Sequence, residues 1–205
     1  NVDDMNAISG YSSPAECPEY DNFEVGHTST SISLATGLQK ARDVKGTKEN
    51  IIAIIGDGSL SGGEAFEGLD EASELGTGIT IIVNDNEMSI DKPVGALDHY
   101  LLRISTSKWY NSLKDEAWDL LSQSPNVLQV ARSTGNALKQ GLLQNSNLFE
   151  SLDFRYFGVV DGHNIENLIE VLQSLKDIGG PKLLHIKTTK GKGYAPAEKD
   201  PSTWH

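Results

Sequence analysis

The stretch Ile51–Leu75, IIAIIGDGSLSGGEAFEGLDEASEL, decides the fold: an apolar run, one carboxylate (Asp57) between Gly56 and Gly58, then a helix-like segment. The apolar, largely β-branched run Ile51–Ile55 carries the mark of a strand covered on both faces. From Gly62 to Leu75 the pattern is amphipathic, with Phe66, Leu69 and Ala72 on one side and Glu67, Asp70, Glu71 and Glu74 on the other. GITIIV (Gly78–Val83) reads as a second buried strand. Strand, helix and strand in this order and at this spacing form a βαβ unit, which predicts parallel strands and a right-handed crossover.

The flanking segments extend the alternation. Residues 1–22 are polar and turn-rich, without a period, and read as an extended loop leading into an α/β domain over 23–205. The segment after Gly26 fits a helix capped by Thr28 or Ser29, with Ile32, Ala35 and Leu38 inward and Gly46 as its stop. Leu97–Leu148 is helical by composition, and Tyr156–Val160 is a candidate short strand. NIENLIEVLQSLKD is a helix capped by Asn164, with Ile165, Leu168, Val171 or Leu172, and Leu175 inward. PKLLHIKTT is a further parallel-type strand, followed by a Gly- and Pro-rich loop to His205. The fold class is therefore α/β: an open, mostly parallel sheet with helices on both faces.

Composition bounds the function. A formal charge of −12 argues against a nucleic-acid-binding face, which needs clustered Lys and Arg. The acidic stretch Glu64–Asp91 reads as a solvated helix face, while Lys182, Lys187, Lys190 and Lys192 give the C-terminal part a local basic character. One cysteine, Cys17, supports neither a disulfide framework nor a thiolate metal cluster, so a cytoplasmic location is the default. No apolar run reaches the length of a membrane span, so no membrane partner is expected. A start at Asn1 and an abrupt stop at His205 suggest a fragment of a longer protein.

In open α/β sheets, ligands bind at the carboxyl ends of strands. Two such ends are chemically loaded: GDGSLSGG after the first strand and NDNEMS after the second. Gly56 and Gly58 let a ligand approach the backbone, and N–H groups opening the next helix favour an anion such as a diphosphate. An aspartate there would repel that anion unless a cation lay between them, and Mg²⁺ with oxygen ligands fits. Asn84, Asp85, Asn86 and the backbone of Met88 are candidates for the remaining ligands. Strand parity groups Asn84 with Asn86 and sends Asp85 the other way, but does not choose between the asparagines.

GDG followed twenty-nine residues after its aspartate by Asn86 resembles the thiamine diphosphate motif of the transketolase superfamily. The ordered blocks VGHTSTSIS, IIGDGSLSGGEAFEGL, NDNEMSI, VGAL, VVDGHN and KGKGYAPAEKDPSTWH resemble the 1-deoxy-D-xylulose-5-phosphate synthase family within it. The likeness covers nearly the whole chain and is weakest over 100–150. It implies the thiamine diphosphate-binding fold, with Asp57, Asn86 and the Met88 carbonyl as Mg²⁺ ligands. It implies cofactor contacts from Gly26, His27, Thr28, Gly58, Ser59, Asn86 and Tyr194, and a catalytic place near the substrate for His205. The implied reaction joins pyruvate to glyceraldehyde 3-phosphate with loss of CO₂, in a protein that forms a homodimer. By the same resemblance, upstream histidines and the glutamate that activates the cofactor belong to regions outside these residues. Asp91, Lys92 and Pro93 depart from the residues expected between NEMSI and VGAL.

Blander readings stand beside these. Asp57 alone could cap the next helix, and His27 could simply mark a helix entrance. His163 falls in a turn before a capped helix and is left outside the site. His185, within a β-branched strand, reads as packed core, as do Trp109, Trp118 and Phe149 in helical stretches. Two other functions remain open: the N-terminal subunit of a split transketolase, separable by its donor substrate, and a non-catalytic cofactor-binding module.

Overall fold

The computed structural model describes residues 11–86, 96–97, 99–101 and 147–204. Within them the chain runs α1 (Ser31–Lys45), β1 (Ile51–Gly56), α2 (Asp57–Leu60), α3 (Gly63–Leu75) and β2 (Ile79–Asp85). It continues through α4 (Leu148–Ser151), β3 (Arg155–Asp161), α5 (Ile165–Lys176), β4 (Lys182–Lys187) and α6 (Ala195–Lys199). The four strands form one sheet in the order β1-β2-β4-β3, and every pairing is parallel. In the β1–β2 ladder Ile51 faces Ile79 and Gly56 faces Asn84, so the GDG turn and the NDN segment leave the sheet side by side.

Two cores flank the sheet. On one face Ile32 and Ala35 of α1, Ala65, Leu69 and Ala72 of α3 and Phe149 of α4 pack on Ala53, Ile55, Ile79, Ile81, Val83 and Leu183. On the other, Val171 and Leu175 of α5 pack on Ile82, Val160, Leu184 and Ile186. The opposite placement of α3 and α5 follows from strand order. β1 to β2 and β3 to β4 advance toward each other, and right-handed crossovers running in opposite directions put their helices on opposite faces. The order therefore reverses between β2 and β4, where an open α/β sheet opens its ligand crevice at the carboxyl edge.

Individual expectations shift in instructive ways. Helix α1 starts after Thr30, two residues beyond Thr28, and Gly46 closes it in the left-handed region at φ 68°. Leu38 is exposed, and Gln39 and Thr36 are buried with Ile32 and Ala35. The buried stripe of α3 runs through Ala65, Gly68, Leu69 and Ala72, with Phe66 only half-buried. These two helices meet at Gly68, where a Cβ would stand 3.0 Å from both Ile32 Cγ2 and the Ser33 amide. Contact that close selects the smallest residue. Strand β1 is covered on one face only among the described residues, since Ile52 and Ile54 are exposed. Ile165 likewise points to solvent, while α5 begins at the predicted cap: Asn164 accepts from the Asn167 amide. Leu97–Leu148 lies outside the described residues except at its margins, and with it Trp109 and Trp118. Phe149 is fully buried, as expected.

Of the four lysines that give the C-terminal part its local basic character, Lys182 is buried. It opens β4 at the amino edge of the sheet and donates from Nζ to the carbonyls of Ile178 (2.7 Å) and Gly180 (3.2 Å). Burial pushes its pKa below the ordinary lysine value of 10.5, and the positive charges of Arg155 and Arg42 add to the effect.

Two outcomes follow for stability. Gly68→Val should drive α1 and α3 apart and cost about 1–3 kcal/mol, read from the urea midpoint; an unchanged midpoint would mean that the helices do not pack this closely. Because the folded pKa of Lys182 is depressed, the unfolded chain binds the extra proton between that value and 10.5. The cost of the buried charge is then fully present below the folded pKa and is relieved as pH rises through that window. Stability of the native chain relative to Lys182→Met should accordingly rise between neutral pH and pH ~10.

Candidate functional site

Four of the predicted site residues, Asp57, Gly58, Ser59 and Asn86, follow directly on β1 and β2 at their carboxyl ends. Asp57 follows directly on β1, in the first turn of the four-residue helix α2, and is 7 % exposed. A carboxylate this buried is costly without compensating charge or hydrogen bonds, and a bound cation is one such compensation. Gly58 and Ser59 continue the same turn, closed by Ser61, whose Oγ donates to the Gly58 carbonyl at 2.7 Å.

The loop before α1 is locked onto this turn. Ser29 Oγ donates to the Ser59 carbonyl at 2.7 Å. To do so Ser29 adopts φ 73°, a left-handed conformation that non-glycine residues rarely take. Gly62 accommodates it: a Cβ there would lie 2.2 Å from Ser29 Oγ. Gly26, His27 and Thr28 immediately precede this contact, and Thr30 Oγ1 donates to the His27 carbonyl at 3.0 Å. Two segments thirty residues apart, both expected to touch one cofactor, are thus fixed to each other by a single strained residue.

At the next strand end the two asparagines separate. The Asn84 amide oxygen accepts from Thr188 Oγ1 at 2.7 Å, which ties the end of β2 to the loop leaving β4. Asn86 is the first residue past the strand. Asp85 points the other way, as strand parity requires, and its Oδ2 lies 3.0 Å from His185 Nε2. His185 is core, as its sequence setting suggested, but core within a polar network: its Nδ1 meets the Tyr156 hydroxyl at 2.5 Å.

Tyr194 sits on the loop after β4 as the residue preceding α6; its half-exposed ring packs edge-on against Trp204, with centroids 5.1 Å apart. His163, which sequence reasoning set aside, accepts a hydrogen bond at Nε2 from the Thr189 amide at 2.7 Å. It thereby secures the loop that leads to Tyr194, a link only the β3–β4 register makes visible. Met88 and His205 lie outside the described residues, as do Asp91, Lys92 and Pro93. Among the described residues no group of three or more His, Cys, Asp or Glu could hold a metal. The implied Mg²⁺ set is of another kind, one carboxylate with amide and main-chain oxygens. Hard oxygen donors on adjacent strand ends, with a diphosphate to complete the shell, suit that ion.

The chain matches, over residues 1–188, the family model described as 1-deoxy-D-xylulose-5-phosphate synthase. It is 50 % identical over 204 residues to the 1-deoxy-D-xylulose-5-phosphate synthase of Cytophaga hutchinsonii, covering 98 % of this chain and 32 % of that protein. It is 48 % identical over 202 residues to the synthase of Porphyromonas gingivalis, covering 97 % and 32 %. The chain thus spans about a third of the length of these relatives. Among solved structures, a transketolase from Campylobacter jejuni gives a TM-score of 0.46 at 20 % identity, over 80 % of this chain and 20 % of that one.

The Ser29 lock generates a test of local stability. Ser29→Ala loses the hydrogen bond and keeps the strained φ, whereas Ser29→Gly loses the bond and relieves the strain. Ala should therefore be the less stable of the two by about 1 kcal/mol in chemical denaturation. Equal stabilities would place residue 29 in an ordinary backbone conformation.

Proposed function

The chain belongs to the 1-deoxy-D-xylulose-5-phosphate synthase family, and on that premise we propose that it forms the thiamine diphosphate- and Mg²⁺-binding part of such an enzyme. The proposed overall reaction condenses pyruvate with glyceraldehyde 3-phosphate to 1-deoxy-D-xylulose 5-phosphate, with release of CO₂. The observation that carries the reading is the parallel register bringing Gly56 and Asn84 side by side, so that Asp57 and Asn86 leave neighbouring strands at one edge.

Each residue has a distinct task in this reading. Asp57 supplies the charged oxygen for the metal and Asn86 a neutral one. The Met88 carbonyl is proposed as a third ligand from the resemblance alone. Gly58 and Ser59, held by Ser29, would hold the diphosphate, and Gly26, His27 and Thr28 would contribute further cofactor contacts. Tyr194, on the loop after β4, is assigned to the cofactor pocket, and His205 is assigned to the substrate side from the resemblance alone. When bound, thiamine diphosphate supplies the carbanion chemistry; these residues anchor and orient its diphosphate. The glutamate that activates the cofactor is assigned to a region outside these residues, and the whole protein is proposed to act as a cytoplasmic homodimer. Among the described residues, no helix is long and apolar enough to cross a membrane.

The experiment uses the whole protein that carries this sequence, with pyruvate and glyceraldehyde 3-phosphate as substrates and CO₂ release as the readout. Asp57→Ala should lower turnover by at least ~100-fold at a fixed, near-physiological Mg²⁺ concentration, the scale on which losing a well-placed charge at a reacting centre is felt. Unchanged product formation by Asp57→Ala would remove the metal assignment. Turnover of a ketose phosphate donor in place of pyruvate would reassign the reaction to a transketolase.

A further inference from the structure

Three polar side chains cross the sheet just below its carboxyl edge: Asp85 on β2, His185 on β4 and Tyr156 on β3. They occupy adjacent strands in the sheet order, and all three are buried, His185 completely. The register explains the line they make. His185 pairs with Val83, two residues before Asp85, and with Gly158, two residues after Tyr156, so all three share one face. Their surroundings are apolar. Val83 and Leu183 lie in the same core, and the Phe149 ring stacks on Tyr156 with centroids 5.8 Å apart.

The arrangement is closely built. With a neutral imidazole, Nε2–H donates to the Asp85 carboxylate and the Tyr156 hydroxyl donates to Nδ1, which satisfies each group in turn. Gly158 admits the approach of β3 to β4, since a Cβ there would fall 2.4 Å from the His185 carbonyl oxygen. Residue 85 is gripped through its main chain as well: the Thr188 amide donates to the Asp85 carbonyl at 2.9 Å. Thr188 Oγ1 holds Asn84 at the same time. The backbone on which Asn86 stands is therefore fixed from both sides of the sheet, at the last strand residue before the chain enters the crevice.

A hydrophobic trio would fill this space as the neighbouring positions do, so burying a carboxylate, an imidazole and a phenol calls for a reason other than packing. We propose that Asp85, His185 and Tyr156 are positioning residues that set the direction of Asn86 and thereby the affinity of the site for Mg²⁺. The proposal rests on the assignment of Asn86 as a metal ligand. The network reaches the metal only through the backbone of residues 85 and 86, so its loss loosens the grip without removing a donor.

The test is metal binding by the whole protein in the presence of thiamine diphosphate, with Mn²⁺ as an electron-spin-resonance probe and Mg²⁺ as competitor. No turnover is needed. Tyr156→Phe keeps the ring and its stacking and removes only the hydroxyl; it should weaken metal binding several-fold. Asp85→Asn and His185→Gln should weaken it on the order of tenfold, the usual effect of losing a group that orients a ligand. Saturating metal should then restore most of kcat, separating affinity from chemistry. Val171→Ala is the control, because it destabilises the opposite core, which contains none of the three network residues, and should leave metal affinity unchanged.

Native metal affinity in a folded Tyr156→Phe protein, with only its melting temperature lowered, would overturn the positioning role and leave the network purely structural. Weakening by Val171→Ala as large as that by Tyr156→Phe would overturn it too, since general loosening would then account for both. If the unaltered protein bound no Mn²⁺ alongside thiamine diphosphate, the metal site itself would fall, and the positioning role with it.

Discussion

Everything at the site depends on β2 being paired in parallel on both sides. Parallel pairing aligns the carboxyl ends of neighbouring strands, so the turn after β1, the segment after β2 and the loop after β4 all open at one edge. Had β2 paired antiparallel to β1, Asp57 and Asn86 would stand at opposite ends of the sheet. A strand so enclosed must be apolar on both faces. Ile79, Ile81, Ile82 and Val83 are buried accordingly, and only at the strand's end, where the crevice begins, do Asn84 and Asp85 appear. The change from apolar residues to Asn84 and Asp85 along β2 marks the boundary between the part that holds the sheet together and the part that opens at its carboxyl edge.

The same constraint explains which expectations were readable from sequence. Apolar runs announce β1, β2 and β4, and Gly46 and Asn164 mark helix ends, because each signal acts within one turn or one strand. Glycine pairs around Asp57 made the turn legible for the same reason. Burial on a helix was less so. Leu38 is expected inward, and the structure exposes it and buries Gln39 beside it, since the buried stripe depends on how α1 is rotated against α3 at Gly68. Hydrophobicity alone does not encode that rotation. Ile52, Ile54 and Ile165 are apolar and exposed for a related reason: sequence reports a preference for burial, while coverage depends on what packs alongside.

The least legible features join residues far apart. Asp85 and His185 are a hundred positions apart, and Tyr156 and His185 twenty-nine, so no local window contains the network. His185 looked like an ordinary core residue because its neighbours are Leu183, Leu184 and Ile186, and by burial it is one. What distinguishes it is chemistry supplied by β2 and β3, which only the register between strands reveals. The contact between Ser29 and Ser59 is of the same kind. Its one local trace, a serine before a helix, suggested a cap, whereas the cap position falls to Thr30 and Ser29 reaches the turn beside Asp57.

These long-range contacts share a physical logic. For the proposed metal, shared between a diphosphate and protein oxygens, the protein's part of the affinity rests on how well its donors are placed before the ion arrives. Loops alone place donors poorly. Here the turn bearing Asp57 is fastened by Ser29, Asn84 is fastened by Thr188, and the strand end bearing Asn86 is fastened through Asp85 to His185 and Tyr156. Each fastening runs to a regular element or to the loop adjoining one, and each uses a hydrogen bond whose direction is fixed, which dispersion contacts among isoleucines cannot offer. A core of strands can be rigid and still leave its last residue free to rotate; a directional bond on that residue removes the freedom. That is a physical reason for polar groups to interrupt an otherwise apolar sheet at its carboxyl edge and not in its middle.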